Sequence, residues 1–257
     1  MPEVESSRDG AVQTIVLNRP EVLNAFNEAM HGALQAALKE AARDEEVRAV
    51  VVTGAGRGFC VGQDLTEFRD ATGDIADRLR AGYHPTIRAI RSLEKPVLAA
   101  VNGPAAGAGL SLALACDIRI AADSASFVPA FVSIGLVPDS GATFFVRRLL
   151  GYARAFEWLA TGRKLAAAEA HAWGVVSEVV EADKLGGRAA ELAGELAAMP
   201  TRAIGMTKRL LDAAEVSTLE EQLELEAQLQ SAATKTADFR EGVAAFLEKR
   251  PPRFSGS

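Results

Sequence analysis

The chain has 257 residues, 49% of them apolar, which suffices for a sizeable core without metal or disulfide support. Its 28 basic and 34 acidic residues leave a net charge of -6 with no basic cluster, which argues against nucleic acid or an anionic membrane as a partner. Cys60 and Cys116 sit in apolar stretches without C-x-x-C spacing or a histidine neighbour, so both read as buried thiols of a reducing compartment and no metal is expected.

The amino terminus, MPEVESSRDG, has neither a basic n-region nor an apolar h-region, and no uncharged apolar run reaches membrane-spanning length. A cytoplasmic protein is therefore expected. Residues 12–18 (VQTIVLN) read as a strand stopped by Asn-Arg-Pro. A helix is expected over 27–43, with Met30, Leu34, Ala37, Leu38 and Ala41 on one face. A second strand at 47–53 runs into GAGRGFCVGQDL (54–65), whose glycines make a tight bend. Residues 66–85 are charged and weakly patterned, and suggest a mobile helix or loop over a site. A short helix is expected to end near Lys95-Pro96.

The chain is organised around residues 97–117, VLAAVNGPAAGAGLSLALACD: a buried strand, a second small-residue bend, and a helix starting near Gly107. A helix start exposes unpartnered N–H groups and partial positive charge, which suits an oxygen anion. A plain helix-packing turn accounts equally well for this segment alone. Short strands at 117–121 and 126–128 precede a third irregular stretch, AFVSIGLVPDSG (130–141). Helices at 143–150, 153–161 and 166–172 and a strand at 175–180 follow. The only composition shift falls at Pro200, so the expected organisation is an α/β core over 1–199 and a helical region over 200–257. The latter has helices at 201–215, 218–233 and 237–249.

Six segments in order, NRPEVLNAF, GRGFCVGQDL, KPVLAAVNGPAAGAG, CDIRIAADSASF, IGLVPDSG and EGVAAFLEKRPPRF, carry a resemblance to the crotonase, or enoyl-CoA hydratase/isomerase, family over essentially the full chain. That resemblance implies a spiral of ββα turns with a helical C-terminal trimerisation region, and hence a homotrimer or a dimer of trimers. It implies an acyl-CoA thioester as substrate, with CoA part of the substrate and no separate cofactor. Backbone N–H groups at Gln63 and Ala108, beside Val61 and Gly107, would polarise the thioester carbonyl. CoA contacts are implied along Glu21, Val22, Leu23 and Ala25 and at Asp64-Leu65. Phe246 and Lys249 would reach CoA, often that of a neighbouring subunit, although a helix face with a solvated lysine is the plainer alternative.

Family hydratases use two glutamates, and the matching positions here hold Ser111 and Phe131, neither of which can be a base. Asp139 remains. Flanked by Leu136, Val137 and Phe144, it would be desolvated and more basic than an ordinary carboxylate, or it caps the helix that follows. The expected activity is acyl-CoA isomerisation by proton transfer through a stabilised enolate. The resemblance, through FCVGQDL, VNGPAAGAG, the placement of Asp139 and AHAWG (170–174), implies a ring epoxide, 1,2-epoxyphenylacetyl-CoA rearranging to oxepin-CoA, as the substrate. A hydratase with an atypical acid or base, attack on carbon by Asp139, and a non-catalytic CoA-binding scaffold are the alternatives. Phe131, Phe144 and Phe145 could line the acyl pocket or belong to the core. Of the histidines, His31 is expected on the surface and His171 in a local hydrogen bond, while His84, beside Tyr83, could approach substrate but is left out of the site. Asp117 and Asp123 read as turn or ion-pair residues, and Arg147 and Arg148 as a solvated helix face.

Overall fold

The computed structural model describes residues 2–66 and 73–257. Its strands are β1 (Val4–Asp9), β2 (Val12–Leu17), β3 (Ala49–Gly54), β4 (Val97–Val101), β5 (Pro104–Ala106), β6 (Ile118–Ala122), β7 (Ser126–Val128), β8 (Leu165–Ala166) and β9 (Glu178–Val180). The main sheet runs β1-β2-β3-β4-β6-β9, and β5-β7-β8 form a smaller one. Only the β1-β2 pair is antiparallel in the main sheet; every other pairing in it is parallel. Parallel strands covered on both faces read as unbroken apolar runs, and AVVVTG and VLAAV do so. β2 alternates instead, because one of its faces packs under a helix.

Sequence reading passes over β1. Its VESSRD carries no apolar alternation, and it forms because the turn at Gly10 folds it back onto β2 as a polar, exposed edge. The expected strand at 175–180 shortens to Glu178–Val180, since Val175 and Val176 are core residues of the preceding turn.

Helix α1 (Glu28–Arg43) starts where the Asn27 side chain accepts from the Met30 N–H, and it buries the five apolar residues its spacing marks out. It also buries His31. The stretch from α2 (Ile75–Arg78) passes through a π-helical turn (Leu79–Tyr83) into α3 (His84–Ser92). The expectation of a mobile segment over 66–85 falls partly on residues 67–72, outside the described residues; residues 75–85 are helical. Helix α4 (Ala108–Ala115) is wholly buried, its small residues interleaved with Leu110, Leu112 and Leu114. The two helices expected at 143–150 and 153–161 meet as α5 (Ala142–Thr161), broken by non-helical backbone at Gly151. After α6 (Ala167–Ala172), helix α7 (Leu185–Ala197), missed in the sequence, covers β3 and β4 with Leu185, Ala189, Ala193 and Ala197.

The C-terminal helices α8 (Thr201–Ala214), α9 (Leu219–Ala233) and α10 (Ala237–Glu248) fall where expected. Lys208 fastens α8 to the core, donating to the Ile90 carbonyl at 2.7 Å and the Asp117 carboxylate at 2.9 Å. Arg48, just before β3, donates to Met199 O, Thr201 Oγ1 and Phe254 O at 2.6, 2.9 and 2.8 Å. Among the described residues no helix is long and apolar enough to cross a membrane.

Candidate active site

The two small-residue bends lie against one another at the ends of β3 and β4. The Phe59 and Cys60 N–H groups donate to Pro104 O, and the Ala106 N–H donates back to Cys60 O at 2.9 Å. Two asparagines brace the first bend. Asn24 Nδ2 donates to Ala55 O and Gly58 O, and Asn102 Nδ2 donates to Gly56 O and Gly58 O while its Oδ1 accepts from the Gly54 N–H. The packing leaves no room for a side chain at Gly109, where a methyl would stand 2.1 Å from Cys60 O; at Gly62, where φ of +90° already disfavours a side chain, one would stand 3.0 Å from Ala106 O and 3.2 Å from Ala108 N.

This brings the Gln63 and Ala108 amides to adjoining edges of the bends. Among the described residues neither N–H donates to a protein acceptor: Ala108 opens α4, and the Gly62-Gln63 peptide uses only its carbonyl, which accepts from Phe26 N at 2.7 Å. N–H groups left without a protein acceptor, one of them at a helix start, have the chemistry that suits a partially negative oxygen.

The third stretch supplies the carboxylate. Consecutive left-handed residues, Ser140 (φ 52°) and Gly141 (φ 85°), turn the chain into α5. Asp139 stays half-buried, and its Oδ1 accepts from Ser140 Oγ at 2.8 Å. Burial raises its pKa above the ordinary carboxylate value; the Ser140 hydroxyl and the charge of His84 oppose that rise without cancelling it. The Ser111 hydroxyl donates to the Asp139 backbone carbonyl at 3.1 Å, so α4 holds the carboxylate's own peptide in place. The capping alternative for Asp139 fails, because Gly141 occupies the N-cap of α5 and no side chain caps it. The Cys60 thiol, buried beneath, is pushed up to about 12 and stays protonated.

A model of the enoyl-CoA hydratase/isomerase family matches residues 7–257. The 1,2-epoxyphenylacetyl-CoA isomerase of Escherichia coli K12 is 46% identical over 100% of this chain and 99% of its own. A 4-chlorobenzoyl coenzyme A dehalogenase of an Arthrobacter species is 39% identical over 93% of this chain and 88% of its own. The crystal structure of an enoyl-CoA hydratase from Bacillus anthracis superposes with a TM-score of 0.95 at 33% identity, covering 99% of this chain and 100% of that one. The chain belongs to the enoyl-CoA hydratase/isomerase family.

Other positions that the family resemblance singles out are spread more widely. Glu21 and Val22 lie exposed on a single 3-10 turn, Leu23 follows in left-handed conformation, and its carbonyl accepts from the Val61 N–H at 3.2 Å. The segment 21–25 thus borders the first bend. Ala25 is buried, its carbonyl taking a 2.7 Å bond from Arg19. Asp64 turns inward: the Thr66 hydroxyl, then Arg19 at 3.0 Å, hold its carboxyl below the usual range, so it anchors the segment and leaves Leu65 exposed beside it. Phe246 is 83% exposed on α10, and Lys249 ends that helix in left-handed conformation, also exposed.

One expectation about the histidines is corrected. His31 is 9% exposed and stacks on Phe26 with centroids 4.7 Å apart, because it shares the buried face of α1 with Leu34 and Leu38, three and seven residues on. That spacing was the signal the sequence offered. His84, which could approach substrate but is left out of the site on sequence alone, lies within electrostatic reach of Asp139. The π-helical turn before it carries Tyr83, which no local pattern marks and which donates to Gln63 Oε1 at 2.6 Å. Phe131 and Phe145 are buried, and Phe144 is exposed, with the Arg148 guanidinium 3.4 Å over its ring. Arg148 also pairs with Glu215, so that side chain is engaged while Arg147 remains exposed. Asp117 is the ion-pair residue expected, bound to Arg91 and Lys208.

Proposed function

We propose that the protein is an acyl-CoA isomerase and that 1,2-epoxyphenylacetyl-CoA is its substrate. In the epoxide the C–C bond shared by the oxirane and the six-membered ring opens, its electrons joining the π system of the seven-membered oxepin. Asp139 removes a proton next to the thioester carbonyl, the electron pair moves onto the carbonyl oxygen between the Gln63 and Ala108 N–H groups, and the proton returns at a ring carbon as the double bond shifts. Nothing is gained or lost, so substrate and product have equal mass. Each N–H aimed at the developing oxyanion lowers the barrier by about 3 kcal/mol. The observation that carries the reading is a single desolvated carboxylate, held through its backbone by Ser111 and standing where neither Ser111 nor Phe131 can supply the second acid or base of a hydratase. The near-half identity to an enzyme named for this isomerisation supports the choice of acyl group.

CoA itself would lie along Glu21, Val22, Leu23 and Ala25, past Val61 and Gly107, toward Asp64 and Leu65. The oligomer we propose is a homotrimer, single or paired, in which Phe246 and Lys249 meet the CoA of a neighbour. The exposed apolar face of α10, with Val243, Phe246 and Leu247, supports it.

The deciding experiment follows deuterium uptake and double-bond migration in 2- and 3-enoyl-CoA thioesters in heavy water, wild type beside Asp139→Asn. Exchange is expected to fall at least about a hundredfold in the variant with CoA binding intact, as loss of a positioned base requires. A variant that keeps its rate, a 3-hydroxyacyl-CoA product, or an ester trapped on Asp139 would replace this reading with a different base, hydration, or nucleophilic attack respectively.

A further inference from the structure

We propose that Tyr83 is a positioning residue: its hydroxyl, acting through the Gln63 side chain, fixes the direction of the Gln63 N–H. This rests on the reading that the Gln63 N–H meets the thioester carbonyl. The carbonyl of Gly62 and the N–H of Gln63 belong to one planar peptide and point opposite ways. Whatever holds the Gly62 carbonyl therefore aims the N–H. Here that is the Phe26 N–H, at 2.7 Å. Gly62 itself resists rotation poorly, since at φ +90° it lacks the side chain that would restrict it.

The restraint comes from a closed loop of hydrogen bonds around Phe26. Its N–H reaches Gly62 O; its carbonyl accepts from the Asp64 N–H at 2.9 Å and from Gln63 Nε2 at 3.1 Å. The Gln63 side chain thus folds back and clips its own backbone to Phe26, and its remaining oxygen is taken by Tyr83 Oη at 2.6 Å. Without the hydroxyl the amide could swing away from Phe26 O. Tyr83 is itself immobilised. Its ring meets His31 edge-on at 4.2 Å and Phe26 at 5.4 Å, and His31 seats directly over Gly82, where an added methyl would stand 3.1 Å away. Burial raises the Tyr83 pKa, with Cys60 and Asp139 adding to the rise, so the hydroxyl keeps its proton and remains a donor. The π-helical turn that ends at Tyr83 is the kind of helix irregularity that often marks functional positions.

The test compares wild type, Tyr83→Phe, Gln63→Met and the double variant, with phenylacetyl-CoA carrying ¹³C at its carbonyl as the probe. Tyr83→Phe keeps the ring and its stacking and removes only the hydroxyl. Exchange of the α-protons is expected to fall about tenfold, part of the loss seen when an oxyanion donor is removed altogether. Dissociation constants should stay within about twofold. The infrared red shift of the bound carbonyl should shrink, and the double variant should be no slower than Gln63→Met. A Tyr83→Phe enzyme with the wild-type rate and red shift, or a double variant in which the losses multiply, overturns the positioning role. A wild-type enzyme that produces no red shift overturns the polarised-carbonyl reading and the positioning role with it.

Discussion

Burial of Asp139 works against its charge and in favour of its basicity: a carboxylate poorly solvated in the folded state holds a proton more tightly and so takes one more readily from carbon. Ser140 tempers this by donating to the charged form, and His84 does so through its charge. His31 shows the opposite case, a base kept neutral. Its Nδ1 is buried without a hydrogen-bond partner, and burial brings its pKa from 6.5 down to about 4. The unfolded chain therefore binds a proton at this histidine below about pH 6.5, while the folded chain does so only near pH 4. The neutral ring's contribution is complete above pH 6.5 and lost as pH falls toward 4, by about 3 kcal/mol in all. His31→Phe keeps an aromatic ring on Phe26 and removes the titration. Urea midpoints at pH 7 and pH 4.5 should therefore converge in the variant relative to wild type; an unchanged gap would assign the acid sensitivity elsewhere.

The bends depend on how closely two backbones approach, which makes them intolerant in a particular way. Gly109→Ala places a methyl 2.1 Å from the Cys60 carbonyl, and one strand end must retreat. The expected cost is on the order of 1–3 kcal/mol of stability. Activity should fall by far more than binding, because the Ala108 N–H moves with the bend. Gly186→Ala, in α7 with open space around it, is the control, and equal stabilities and rates for the two variants would count against tight bend packing. The bends were legible because glycines clustered directly after an apolar strand neither extend the strand nor start a helix, so the chain must turn there. The strands were legible because β3 and β4 are apolar almost throughout. The Asp139 stretch was legible as a turn but not in its support. The hydroxyl of Ser111, 28 residues earlier, reaches the Asp139 carbonyl through a packing of α4 that no local pattern encodes. β1 was illegible for a different reason: an edge strand that faces solvent on most of its length keeps polar residues and so loses the alternation that identifies strands.

The C-terminal helices present large apolar side chains to solvent. On α9, Leu219 and Leu223 are exposed, and on α10 Phe239, Val243, Phe246 and Leu247. If this face is the trimer contact we propose, light scattering should give a mass of three or six chains, and Phe246→Glu with Leu247→Glu should reduce it to one. A wild-type mass of one chain would refute the assembly. The amphipathic reading of residues 218–233, polar for much of its face and suited to a partner, agrees with the single fully buried residue on α9, Leu229. Beside the Lys208 bonds, Arg48 ties this region to the rest of the molecule. Its guanidinium stands at the foot of a central strand, yet each of its three acceptors, Met199 O, Thr201 Oγ1 and Phe254 O, comes from the far end of the chain. The helical tail is consequently not an exchangeable cassette. A chimera that grafts another tail onto this core must reproduce those three oxygens, or it leaves a cation stranded against the sheet that carries the first bend.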